Sequence, residues 1–206
     1  MDNTSTGSPY AVSPGRVRNK SDEGYAVFTP FSKAWLEHGW REPPRAPGRV
    51  RWDTSLRSDA MMKATAPKGL TLPTAGEDAA RRHWRAYVDQ RLPEYADHRD
   101  RPDLDVTSHM SVHLKWGEIH PRTMLADLKE AGTSKAVTTY RTELAWREFS
   151  ADVLARRPET AREYYRPEYA AMTYDEPGEA LQAWKYGRTG YPIVAVSYTH
   201  LTLPTN

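Results

Sequence analysis

Cysteine is absent from the 206 residues. That excludes a disulfide framework and thiolate chemistry, and it is compatible with a cytoplasmic location. Long apolar runs are absent too: nothing approaches the ~20 residues of a membrane span, and the first residues carry no apolar signal core. Excess charge is missing as well, since 29 Lys and Arg against 27 Asp and Glu leave a formal net charge of +2. Any basic surface for nucleic acid must therefore be local. Phe is scarce at 3 residues, while Trp and Tyr number 7 and 12. Aromatics with a polar tip suit clefts and ligand surfaces as well as cores. With 38% hydrophobic and 27% charged residues, the composition is that of a soluble globular chain long enough for one domain with a real core.

Residues 1–73 hold half of the 16 prolines, including Pro43, Pro44 and Pro47. This stretch reads as a connector with short ordered pieces. The alternation Tyr25, Val27, Thr29 predicts a short strand ended by Pro30, followed by a brief helix with Trp35 and Leu36. Loops longer than ~12–15 residues are uncommon inside compact domains, so residues 40–73 wrap a surface or bridge two domains.

From Thr74 the period changes. Thr74-Ala-Gly-Glu77 fits a capping box, and Ala80, Trp84, Tyr87, Val88 and Leu92 recur at helical spacing until Pro93 disrupts it. His98–Asp103 reads as a loop. Pro121 stands at a helix start, Met124, Leu125 and Leu128 give an apolar face, and Gly132 is placed for a left-handed stop. Residues 136–156 and 178–187 make two more helices, the second with Leu181 and Trp184 on one side. No strand pattern of any length lies between 74 and 190, so the fold class of this part is all-α.

Within the 136–156 helix, Glu143, Trp146, Arg147 and Ser150 fall at i, i+3, i+4 and i+7 and share one face. The stripe offers a carboxylate, an indole, a guanidinium and a hydroxyl. Trp146, Phe149, Ser150 and Val153 form an overlapping, mostly apolar stripe, which reads equally as a buried face. Upstream, Thr107, Ser108 and Ser111 precede a short helix; hydroxyls and free amides there suit an anion such as a diphosphate, although Ser and Thr before a helix usually serve only as caps.

These segments together carry a resemblance. Tyr95 with Arg99, Thr107-Ser-His-Met-Ser111, Glu143-Leu-Ala-Trp-Arg-Glu-Phe149 and Ala183-Trp-Lys-Tyr-Gly-Arg-Thr-Gly-Tyr-Pro-Ile-Val194 resemble, in order and spacing, the flavin-binding domain of the DNA photolyase/cryptochrome family. Tyr25–Phe31 is similar to that family's segment after its antenna domain. The pattern is that of class I cyclobutane pyrimidine dimer photolyases. The resemblance implies residues 1–73 as the interdomain connector after an α/β antenna domain, and 74–194 as the first half of the helical FAD-binding and lesion-binding domain. Val196–Thr205 looks like a translated transposon-end sequencing adapter, so 195–206 are set apart from the fold.

The resemblance implies FAD, reduced in the active state, and UV-damaged DNA as partner, with a monomeric full-length enzyme and no metal. It makes Tyr95, Thr107, Ser108, His109, Met110, Ser111 and Tyr140 flavin-contacting positions. Glu143 and Trp146 become the catalytic pair facing a flipped-out pyrimidine dimer, joined at the lesion by Arg147, with Arg99 on the DNA backbone; Ser150 joins the lesion face from the helical stripe. Tyr174 stands where many relatives carry the first Trp of an electron-transfer chain. The parent activity implied is light-driven dimer splitting, by a deoxyribodipyrimidine photo-lyase of which this chain is an inactive part. A cryptochrome-type photoreceptor and a flavin-free helical DNA-binding module are the alternatives. The antenna chromophore is not legible.

Overall fold

The computed structural model describes residues 7–44, 48–49, 55, 60, 72–192 and 194. The described residues form helices and no strand, and no helix among them is long and apolar enough to cross a membrane. The chain divides into two compact units, Met1–Ala161 and Arg162–Asn206.

The first unit is built around one long helix, α6 (Lys135–Arg156), which packs against α1 (Phe28–His38), α3 (Tyr95–His98) and α5 (Pro121–Glu130). Between them lie α2 (Glu77–Gln90), a 3-10 turn (Leu92–Glu94) running into α3, and α4 (Ser111–Lys115). A 3-10 turn at Pro158–Ala161 follows α6. Ser134 starts α6 by accepting the Val137 N–H at 3.2 Å, which supplies a partner for one of the unpaired amides of the first turn. The core gathers Trp35, Trp84, Phe31, Met110, Met124 and Leu128, all essentially inaccessible. Removing a side chain of this size from such a site costs roughly 3–5 kcal/mol, so the helical spacing of Ala80, Trp84, Tyr87 and Leu92 reports a real buried face.

Two local expectations are corrected. The strand over Tyr25–Thr29 does not form; α1 begins at Phe28 and takes in Pro30. A proline in the first helical turn costs little, because the N–H it lacks has no partner there. The capping box at Thr74 and Glu77 is not made: α2 is preceded by Gly76 at φ 105° with no side-chain cap. The Gly76 N–H is instead accepted by Glu118 Oε1 at 2.7 Å, a carboxylate from the turn after α4. The brief helix expected to carry Trp35 and Leu36 forms as part of α1, with Trp35 fully buried.

The segment before α1 is held by carboxylates. Glu148 of α6, 4% exposed, accepts the amides of Ala11 and Val12 at 2.8 and 2.9 Å and the Trp35 indole N–H at 3.3 Å. One turn on, buried Asp152 accepts the Gly15 amide at 2.6 Å and Arg156 Nε at 2.8 Å. Arg156 Nη2 in turn donates to the Tyr25 carbonyl at 2.7 Å. Gly24 lies so close to the Arg156 side chain that a Cβ there would collide with it. Burying a carboxylate is costly unless its oxygens are paired, and these oxygens are.

Gly132 follows α5 at φ 102°, the left-handed stop its position predicts, and His120 opens the same helix by accepting the Arg122 N–H on its ring nitrogen. In the second unit, a 3-10 turn (Pro167–Ala171) and α7 (Glu179–Lys185) are described; α7 is shorter at both ends than the predicted 178–187 helix.

Candidate functional site

The first unit holds a cleft of about 720 Å³. Thr107, Ser108, His109, Met110 and Ser111 form one wall, Tyr140, Glu143 and Arg147 of α6 the other, with Tyr95 and Tyr10 between. Eight residues predicted for flavin contact or lesion contact, together with Arg147, therefore meet around one space: Tyr95, Thr107–Ser111, Tyr140 and Glu143.

The Thr107–Ser111 wall is shaped by His109, a non-glycine residue at φ 51°. Left-handed backbone at a non-Gly position is uncommon and marks a specified turn. The turn is fixed from both sides. Ser108, buried, bonds the Tyr140 hydroxyl at 2.6 Å, its carbonyl meets His83 Nε2 at 2.7 Å, and His109 Nε2 lies 2.8 Å from Asp105 Oδ1. Asp105 is also paired with Arg91 at 2.6 Å, and the bonds from His109 and Arg91 hold its carboxyl below the usual range. Thr107 and Ser111 are exposed, leaving two hydroxyls on the rim beside Lys115.

The floor is aromatic. Tyr140 lies 5.1 Å from Tyr95, 5.6 Å from Tyr87 and 5.2 Å from Trp84, ring centre to ring centre. Burial pushes the phenols of Tyr140 and Tyr87 well above their ordinary value, and that of Tyr95 upward as well, so all three are neutral at any physiological pH. Such a wall takes a planar ligand by area rather than by charge.

On the α6 side, Glu143 Oε1 accepts from Arg99 Nη1 at 2.5 Å. Arg99 also stands over the Tyr95 ring at 5.5 Å and near Asp100 at 3.6 Å. Arg99, predicted to meet a DNA backbone, is thus engaged at the cleft margin. Arg147 lies over Tyr10 at 4.5 Å and donates to the Pro9 carbonyl at 3.2 Å. Trp146 and Ser150 do not line the cleft. Trp146 is 44% exposed and stacks on Phe28 at 3.6 Å with an interplanar angle of 8°, braced edge-on by Phe149. Ser150 is exposed. The predicted lesion stripe is therefore split: Glu143 and Arg147 face the cleft, whereas Trp146 forms a backed aromatic platform beside it. In the second unit, the Tyr174 hydroxyl bonds that of Tyr164 at 2.6 Å.

Sequence spacing missed Glu148 and Asp152, which position the segment around Tyr10 against α6. Their signal was present, two carboxylates at i and i+4 in line with Val137, Tyr140 and Leu144, but charge in that register ordinarily means solvent.

Residues 140–202 match the family described as the FAD binding domain of DNA photolyase. That match runs into the 195–206 segment set apart above, whose residues lie outside those described. The deoxyribodipyrimidine photo-lyase of Streptomyces griseus is 32% identical over 194 residues, covering 93% of this chain and 42% of that protein. The enzyme of that name from Escherichia coli is 32% identical over 202 residues, 91% of this chain and 42% of that protein. Among solved structures, a bacterial class III photolyase from Agrobacterium tumefaciens superposes with a TM-score of 0.72 at 28% identity, covering 92% of this chain and 42% of that one. An archaeal photolyase from Sulfolobus tokodaii, at 24% identity and a TM-score of 0.65, shares the fold. The chain spans about two fifths of the length of the curated relatives it matches.

Proposed function

We propose that this chain, similar in sequence and helical fold to part of the DNA photolyases, is part of a light-driven DNA repair enzyme acting on cyclobutane pyrimidine dimers. It contributes one side of a flavin pocket and one wall of a lesion pocket. The observation that carries this reading is the convergence of Tyr95, Thr107–Ser111, Tyr140 and Glu143 on one cleft, from segments up to 48 residues apart in sequence.

The residues present fit the cofactor. The rim hydroxyls of Thr107 and Ser111 and the ammonium of Lys115 suit a diphosphate, and the neutral Tyr95–Tyr140 wall suits a planar ring system. Bound FAD, in its reduced state, supplies the light-driven one-electron chemistry. The chain's own residues bind and orient. Ser108 holds the Tyr140 hydroxyl, which fixes the ring that closes the floor. Arg99 fixes the Glu143 rotamer and presents a carboxylate acceptor for the imide N–H of a pyrimidine. Trp146, with one ring face against Phe28, offers its other face to an extruded base; a base stacked on an aromatic side chain is worth roughly 1–3 kcal/mol. Arg147 is close enough to the same wall to hold a phosphate or a carbonyl. On this reading the chain by itself performs no repair, the antenna chromophore belongs to another part of the protein, and the full-length enzyme is a monomer in the cytoplasm.

The test is a visible absorption spectrum of the purified chain refolded with FAD and freed of excess cofactor. A retained flavin band lost on Tyr140→Ala supports the cleft as the binding site. A full-length protein that carries no flavin would sink the reading and leave a helical DNA-binding module.

A further inference from the structure

On the opposite edge of the connector lies a second hollow, of about 500 Å³, which the repair reading does not use. Three arginines line it, Arg16, Arg41 and Arg122, together with His38, His120 and the indole of Trp40. No Asp or Glu is among the described residues that line it. Among the described residues, Arg91, Arg99, Arg101 and Arg156 each pair with a carboxylate. Arg16, Arg41 and Arg122 make no ion pair among the described residues.

The hollow has a fixed frame. Trp40 stacks on the fully buried Trp35 at 4.4 Å, so its position is set by the core. Arg122 spends its Nε on the Ala11 carbonyl at 2.9 Å, which leaves its two terminal amino groups for a ligand. His120 accepts the Arg122 N–H on Nδ1 at 3.1 Å and meets the Ser8 carbonyl through Nε2 at 2.8 Å. A carbonyl cannot donate, so the proton sits on Nε2 and both ring nitrogens are committed to the frame.

Like charges gathered in a concave space repel one another unless an anion joins them, and the low-dielectric walls focus their field outward. Guanidinium forks match phosphate oxygens in pairs. The volume falls in the range of small-molecule sites, ~300–1,000 Å³, which exceeds what a bare phosphate fills, and the indole supplies the apolar surface for a planar group. We propose that this hollow binds a phosphate monoester bearing a planar ring, of the mononucleotide class, with the phosphate among Arg16, Arg41 and Arg122 and the ring against Trp40. The site is separate from the flavin cleft and stands or falls independently of the repair reading.

Calorimetric titration of the whole chain with AMP, adenosine, inorganic phosphate and a ten-residue single-stranded oligonucleotide tests it. The expected result is saturable one-to-one AMP binding, with adenosine and inorganic phosphate each weaker by about tenfold or more. The double variant Arg16→Glu, Arg41→Glu lowers AMP affinity by about tenfold or more with unchanged circular dichroism and unfolding midpoint, since both side chains are exposed. Lys115→Glu makes a like charge change in the first cleft and leaves AMP affinity as it was. An AMP affinity that falls with Lys115→Glu instead puts the nucleotide in the flavin cleft and overturns the proposal while leaving the repair reading intact. Equal affinity for inorganic phosphate overturns the nucleotide assignment. Oligonucleotide binding through Arg16 and Arg41 without AMP binding makes the hollow a nucleic-acid backbone contact, and no saturable binding overturns it outright.

Discussion

The Trp35 indole N–H donates to Glu148 Oε2 at 3.3 Å, joining two buried residues 113 positions apart. The same carboxylate takes the amides of Ala11 and Val12, so one side chain of α6 secures both the first helix and the connector. Glu148→Ala leaves three buried N–H groups without an acceptor. The expected loss is about 3–5 kcal/mol, the range for removing one partner from a buried charged arrangement. Urea unfolding monitored by tryptophan fluorescence reads it. A loss below about 1 kcal/mol would mean water replaces the carboxylate and the clamp is not structural.

Glu118 gives the chain an acid-sensitive contact. Hydrogen bonds from the Gly76 amide and then His113 hold its carboxyl below the ordinary value of 4.5. A depressed folded-state pKa means the contribution is complete above about 4.5 and is lost as pH falls through that value toward the folded one. Glu148 has the opposite sign, because burial, only partly offset by its amide donors, raises its carboxyl. Its protonation preference favours the folded state on the acid side, and that share is lost as pH rises through the raised value. Stability measured from pH 6 to 3 should therefore fall less steeply in Glu118→Gln than in the parent chain and more steeply in Glu148→Gln. Identical slopes in all three proteins would refute the assignment.

Ser108→Ala removes the bond to the Tyr140 hydroxyl and leaves that buried oxygen unpaired. The expected stability cost is about 1–3 kcal/mol, and flavin affinity falls several-fold as the cleft floor loosens. Tyr140→Phe removes the hydroxyl itself and restores part of the stability in the Ser108→Ala background. A double-mutant cycle measures the coupling; additive effects would show that the two side chains act separately.

Trp146 stands outside the cleft yet next to it, so its role separates from that of the flavin wall. In a full-length protein bearing this sequence, Trp146→Ala should weaken binding of dimer-containing DNA by roughly 10–100-fold, the equivalent of one lost stacking contact, while the flavin content of the purified protein is unchanged. Gel-shift titration against damaged and undamaged duplexes reads the first effect and absorbance the second. Loss of flavin together with DNA affinity would mean the Phe28–Trp146 stack supports the fold rather than the lesion.

Much of the architecture was legible in the order of residues because it rests on local rules. Helical spacing of Trp84, Tyr87 and Leu92, the proline opening α5, Gly132 after it and the long periodic run of α6 each state a helix or its end through steric and hydrogen-bonding preferences within a few positions. The motifs Thr107–Ser111 and Glu143–Phe149 pointed to flavin and lesion chemistry only through their resemblance to a known family; their spacing alone states a helix start and a helix face. What the chain order did not decide was which face of each helix would be covered, and by what. Phe28 sits in α1 rather than a strand because its ring is taken up by Trp146, and Gly76 is capped by a carboxylate 42 positions away. Glu148 and Asp152 of α6 are buried because the amides of Ala11, Val12 and Gly15 arrive from over a hundred residues upstream to pair with them. A charged side chain becomes a core residue only when distant donors satisfy it, and only the tertiary structure brings those donors there.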